Sequence, residues 1–133
     1  MSVARRAATA AIALAALAAA TPTALAAPQG PSRLVLSVST PARAISPAAP
    51  RSVVLDCDPA SGPHPNAGEA CTELDAAGGG LADLVPVPEM CPMIYNPVTA
   101  TATGTWQGRP VSWSQRFANS CMLARSTGAV FRF

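Results

Sequence analysis

From Arg33 to Thr40 apolar and polar positions alternate, with Leu34, Leu36 and Val38 on one side and Val35, Ser37 and Ser39 on the other. That is the two-residue period of a strand with one buried face. Pro41, Pro47 and Pro50 end the pattern and make a linking loop. A second strand is predicted from Ser52 to Cys57, with Val53, Leu55 and Cys57 on one face. Asp58 to Pro65 is rich in turn residues. The period then changes: Ala67, Ala70, Cys71 and Leu74 share the stripe of a helix running to Ala77. Asn66 is placed to cap it, Glu69 completes a capping box, and Gly78-Gly79-Gly80 stops it. Val98 to Trp106 and Arg109 to Ala118 read as strands joined by a tight Gln107-Gly108 turn, with Val111, Trp113, Gln115 and Phe117 on one face of the later strand. Asn119 to Arg125 suits a short helix with Asn119 as its cap. Ala129 to Phe133 reads as a closing strand with Phe131 and Phe133 on one side. The sum is an α+β fold of five strands and two helices, whose short connections favour antiparallel pairing.

The first residues change the count of what folds. Arg5 and Arg6 precede an apolar run from Ala7 to Ala20, and Ala24-Leu25-Ala26 has small residues at cleavage-site spacing. These three regions predict a signal peptide over residues 1–26, too short in its apolar part for a membrane anchor. Residues 27–32 form an expected flexible arm and residues 33–133 one domain. Nine basic and seven acidic residues give the whole chain a charge of +2. Two of the nine, Arg5 and Arg6, leave with the leader, so the mature charge is zero. Neither nucleic acid nor an anionic membrane is favoured as a partner. The expected destination is extracellular.

All four cysteines, Cys57, Cys71, Cys91 and Cys121, lie in the exported part, where an even number implies disulfides. Three pairings are open; Cys57 with Cys71 and Cys91 with Cys121 closes the shortest loops. A zinc site is disfavoured by the lack of any C-x-x-C pair. The single histidine, His64, stands between Pro63 and Pro65 without a ligand-spaced neighbour and reads as a solvated loop residue, not a general base. Glu69, Glu73 and Asp83 read as solvated acids on or near a helix face. No catalytic constellation, cofactor motif or metal set emerges, so an enzyme is the weakest reading.

Leu81 to Pro97 is the longest irregular stretch, with four prolines and no sustained period. Such length in a compact domain marks a functional loop or disorder, and a bridged Cys91 argues for the former. Met90, Cys91, Pro92, Met93, Ile94, Tyr95, Asn96 and Pro97 suit being bound by a protease: an extended backbone pairs with a cleft while an unbranched Met93 fills an apolar pocket. Burial of Met90, Met93 and Ile94 in a core strand is an equally open reading at this point, as is a loop that docks some other partner.

The segment Cys91-Pro92-Met93-Ile94-Tyr95-Asn96-Pro97 resembles the signature of the Streptomyces subtilisin inhibitor family. Leu34-Val35-Leu36, His64-Pro65 through Gly68, Ala70-Cys71, Trp106-Gln107-Gly108, Phe117-Ala118-Asn119 and Val130-Phe131-Arg132-Phe133 match in order. The resemblance implies a five-stranded antiparallel sheet with two helices on one face, and bridges Cys57–Cys71 and Cys91–Cys121. It implies inhibition of subtilisin-type and chymotrypsin-like serine proteases, with Met93–Ile94 as the reactive bond. Met90 fills a further subsite, Asn119 supports the loop, and Val35 lies near a homodimer contact. Asn96 stands where Asp is common and Thr103 where an acid is frequent, so salt bridges using those acids are missing, a loss of only about 0–1 kcal/mol each when exposed.

Overall fold

The computed structural model describes residues 30–41 and 49–133. The expected signal peptide, its expected cleavage point, the start of the expected arm and residues 42–48 of the linking loop lie outside the described residues. Four strands, β1 (Ser32–Ser39), β2 (Arg51–Cys57), β3 (Val98–Trp106) and β4 (Arg109–Phe117), form one antiparallel sheet in the order β2-β1-β3-β4. β1 begins at Ser32, so the last residue of the expected arm is a buried strand residue. The alternation decides the layering: Leu34, Leu36 and Val38 of β1 and Val98, Ala100 and Ala102 of β3 are buried on one face. Val35, on the opposite face, pairs with Val54 and Thr103 and is 42% exposed.

Helices α1 (Ala67–Ala76) and α2 (Ser120–Thr127) join the same core. The predicted stripe of α1 is the buried one, with Ala70, Cys71 and Leu74 inside. Its end is a Schellman arrangement: Gly78, at φ 62°, donates to the Asp75 carbonyl and Gly79 to that of Leu74. Gly79 has a further reason to be glycine, since a Cβ there would lie 2.2 Å from the Trp106 ring. The β3–β4 turn has positive φ at both Gln107 (48°) and Gly108 (76°), the geometry that matches strand twist in a two-residue hairpin. Both expected bridges are formed, Cys57–Cys71 and Cys91–Cys121.

The structure corrects four further expectations. The sheet has four strands, not five, because Ala129 to Phe133 folds back in turns, with Val130 N–H donating to Thr127 and Arg132 N–H to Ala129. Glu73 holds the Ala129 N–H at 2.8 Å, and the consecutive residues Ala129, Val130 and Phe131 are all buried. An alternating half-buried strand does not bury three residues in a row. His64 is not solvated but 4% exposed. Its Nδ1 accepts the Asn66 N–H, which leaves Nε2–H to donate to the Val130 carbonyl at 2.9 Å. Asn66 stands at the N-cap of α1 without a capping bond; its side chain donates instead to the Arg132 carbonyl. Finally, the stretch expected to be loop opens with a 3₁₀ turn, Leu81–Asp83, that buries Leu81, so irregular chain begins at Leu84.

Candidate functional site: an exposed loop held by one helix

Residues 84–97 run without helix or strand between the 3₁₀ turn and β3. Proline explains part of this, since Pro86, Pro88, Pro92 and Pro97 lack the N–H that a sheet ladder needs. The side chains at the tip face solvent: Met90 is 98%, Met93 105%, Ile94 60% and Tyr95 75% exposed relative to a free side chain. Four apolar side chains are thus displayed rather than buried. The core-strand reading of Met90, Met93 and Ile94 is thereby removed.

An exposed loop ordinarily samples many shapes, and this one is fastened along its length, by hydrogen bonds and a disulfide, to a single short segment, residues 118–125. The Val87 N–H donates to the Arg125 carbonyl at 2.8 Å, and the Asn96 N–H to that of Ala118 at 2.9 Å. Between them Cys91 is bridged to Cys121. At the centre, the Asn119 side-chain nitrogen donates to the Ile94 carbonyl at 2.8 Å and the Pro92 carbonyl at 3.2 Å. Those two carbonyls flank that of Met93.

Asn119 is itself fixed. It is buried, and its Oδ1 accepts the Met122 N–H at 2.9 Å as the N-cap of α2. A cap of this kind stabilises a helix by about 1 kcal/mol, so the donor end aimed at the loop does not rotate freely. Beneath the loop lies a hollow of about 420 Å³ lined by Pro92, Ile94, Asn119, Met122 and Arg125. The loop therefore stands off the core, held by polar tethers and one covalent link instead of by packing.

The structure brings Met90, Cys91, Pro92, Met93, Ile94, Tyr95, Asn96 and Pro97 together with Asn119 and Cys121, and leaves Val35, on the open sheet face, and the Cys57–Cys71 bridge out of this site. Reading the sequence found the cap at Asn119 but missed the backbone anchors of Val87 and Asn96, which carry no side-chain signal. It also missed the ion pair of Arg132 with Glu89, 3.7 Å apart and exposed at both ends. Among the described residues no group of histidine, cysteine and acidic side chains is arranged to hold a metal, and no helix is long and apolar enough to cross a membrane.

A family profile described as subtilisin inhibitor-like matches residues 30–119. The chain is 45% identical over 105 residues to the subtilisin inhibitor of Streptomyces albogriseolus, covering 77% of this chain and 73% of that one. It is 40% identical over 106 residues to the transglutaminase-activating metalloprotease inhibitor of Streptomyces mobaraensis, covering 77% and 72%. Among solved structures, Streptomyces caespitosus sermetstatin, in complex with Bacillus licheniformis subtilisin, superposes with a TM-score of 0.62 at 33% identity over 78% of this chain and all of that one. A profile match spanning most of the described residues, with relatives named for inhibition rather than catalysis, makes this chain a member of the subtilisin inhibitor-like family and not an enzyme.

Proposed function

We propose that the protein is an exported inhibitor of subtilisin-type serine proteases, and of chymotrypsin-like ones with an apolar specificity pocket. It offers Met90 to Pro97 as a substrate-like loop whose reactive bond is Met93–Ile94. The observation that carries this reading is the pairing of a fully exposed Met93 side chain with Asn119 bonds to the carbonyls on either side of it. Met93 enters the specificity pocket and Met90 a further subsite. The protease serine attacks the Met93 carbonyl carbon.

Once the bond is cut, neither end is free to leave. The Pro92 side is held by Cys91–Cys121 and one Asn119 bond; the Ile94 side is held by the other Asn119 bond and the Asn96–Ala118 pair. The new amine stays beside the acyl group, so re-forming the peptide bond competes well with hydrolysis and departure. Because the loop is ordered before it meets the protease, little entropy is lost on association. The signal peptide of residues 1–26 delivers the domain outside the cell, and the open sheet face with Val35 at its centre joins two copies as a homodimer.

Titrating subtilisin, a trypsin and a metalloprotease with the pure protein tests this. The expected result is stoichiometric loss of subtilisin activity and, on long incubation, cleavage at Met93–Ile94 alone. Rapid cutting into inactive pieces, cleavage elsewhere, or inhibition of the metalloprotease only overturns it.

A further inference from the structure

We infer that the Met93 thioether is a modification site at which peroxide-class oxidants switch the inhibitor off, reversibly; this rests on the proposed role of Met93. The described residues hold three methionines. Met122 is half-buried on α2 beneath the loop, whereas Met90 and Met93 present essentially their whole side chains to solvent. Thioether oxidation needs only approach of the oxidant to sulfur, so exposure sets the order of reaction. The sulfur lone pair attacks one peroxide oxygen, forming S–O as O–O breaks. Sulfur loses two electrons, the peroxide gains them, and the departing hydroxide takes the remaining proton to leave as water.

The product changes the chemistry at the tip of the loop and leaves its fastening alone. A flexible apolar side chain becomes a polar, chiral sulfoxide. In water that costs nothing, so the free inhibitor keeps its fold: neither sulfur packs into the core, and the tethers at Cys91, Asn119 and Asn96 use no thioether. In an apolar protease pocket the sulfoxide oxygen loses its water partners, which weakens binding about tenfold to a hundredfold. The loss therefore appears only on binding. Reduction by a sulfoxide reductase restores the thioether, so the change runs both ways.

The test treats the full chain with dilute hydrogen peroxide, locates added oxygen by peptide mass mapping, and titrates subtilisin before and after. Untreated protein must inhibit; if it does not, the proposed function fails before oxidation enters. Given inhibition, the expected result is that Met93 and Met90 gain oxygen before Met122, that inhibition weakens about tenfold to a hundredfold in step with Met93 sulfoxide, and that a reductase restores it. Met93→Leu and Met90→Leu, each compared with itself before and after peroxide, assign the effect: most of the sensitivity should vanish in the first, leaving only the smaller share of Met90 in its subsite, and most should persist in the second. A protein fully oxidised at Met93 that inhibits as before, or a Met93→Leu variant that peroxide weakens equally, overturns the inference. An unchanged circular dichroism spectrum after treatment is also expected, and loss of fold would overturn it.

Discussion

Two irregular, proline-bearing segments of this molecule resemble each other in composition and face opposite ways. Residues 58–66 follow Cys57 and centre on His64 between two prolines; residues 84–97 contain Cys91 and centre on Met93 just after Pro92. The first turns its central side chain inward, where the imidazole bonds to the Val130 carbonyl and the Asn66 N–H and meets the Phe133 ring edge-on. The second turns its central side chain outward. The difference lies in which partner supplies the fastening group. In the first, the segment's own side chain is consumed in holding it. In the second, a side chain from elsewhere, Asn119, holds the loop by its backbone and leaves the loop's side chains free to meet another molecule.

The largest effect is expected from cutting the covalent tether that only the outward segment uses at its centre. The Cys91–Cys121 bridge spans 30 residues, for which the entropy model gives about 3.5 kcal/mol of stabilisation. Replacing both cysteines by serine should lower the unfolding free energy by about that much, measured by denaturant titration. Under conditions where the variant is still folded, subtilisin should cut it through and release both pieces, turning an inhibitor into a substrate. Retained stoichiometric inhibition would show that the noncovalent tethers suffice.

Breaking the inward segment should do the reverse. His64→Ala removes a buried ring and strands the Val130 carbonyl and Asn66 N–H, a loss of about 2–4 kcal/mol from cavity and unpaired groups together. The inhibition constant of the folded protein should not change, because nothing His64 bonds to lies in the loop. A fall in stability with inhibition intact, measured side by side, separates the two kinds of irregular chain. Weakened inhibition at full folding would mean that the turn and the loop are coupled.

The contrast also explains what could be read without coordinates. The strands from Leu34 to Val38 and from Val98 to Phe117 announced themselves because a half-buried sheet imposes a period of two, and the Gln107-Gly108 turn because few residues accept positive φ in succession. Asn119 was legible as a helix cap. Burial of His64 was not, since its partner Val130 is 66 residues away and no local pattern records it. Nor was the fate of Ala129 to Phe133, whose spaced aromatics serve a strand or a buried turn equally well. For the loop, prolines and a cysteine were enough to mark it as irregular and anchored. They did not tell exposure from burial of Met93, and the assignment of one bond, Met93–Ile94, comes from family likeness.

The smallest expected effect is also the most discriminating. Asn119 has two jobs at opposite ends of one amide: Oδ1 caps α2 and Nδ2 holds the loop. Serine keeps a capping oxygen but has no group that reaches both carbonyls, so beyond the lost loop bonds Asn119→Ser should cost at most a few tenths of a kcal/mol through the cap. Alanine removes the cap as well and should cost about 1 kcal/mol beyond the lost loop bonds. Inhibition should respond differently. Losing two hydrogen bonds to the loop, each contributing about 0.5–1.5 kcal/mol, should raise the inhibition constant about fivefold to a hundredfold in both variants and speed cleavage at the loop to match. If the serine variant instead inhibits like the parent, the disulfide and the Asn96–Ala118 bond hold the loop by themselves, and the inward and outward segments differ in direction but not in how they are fastened.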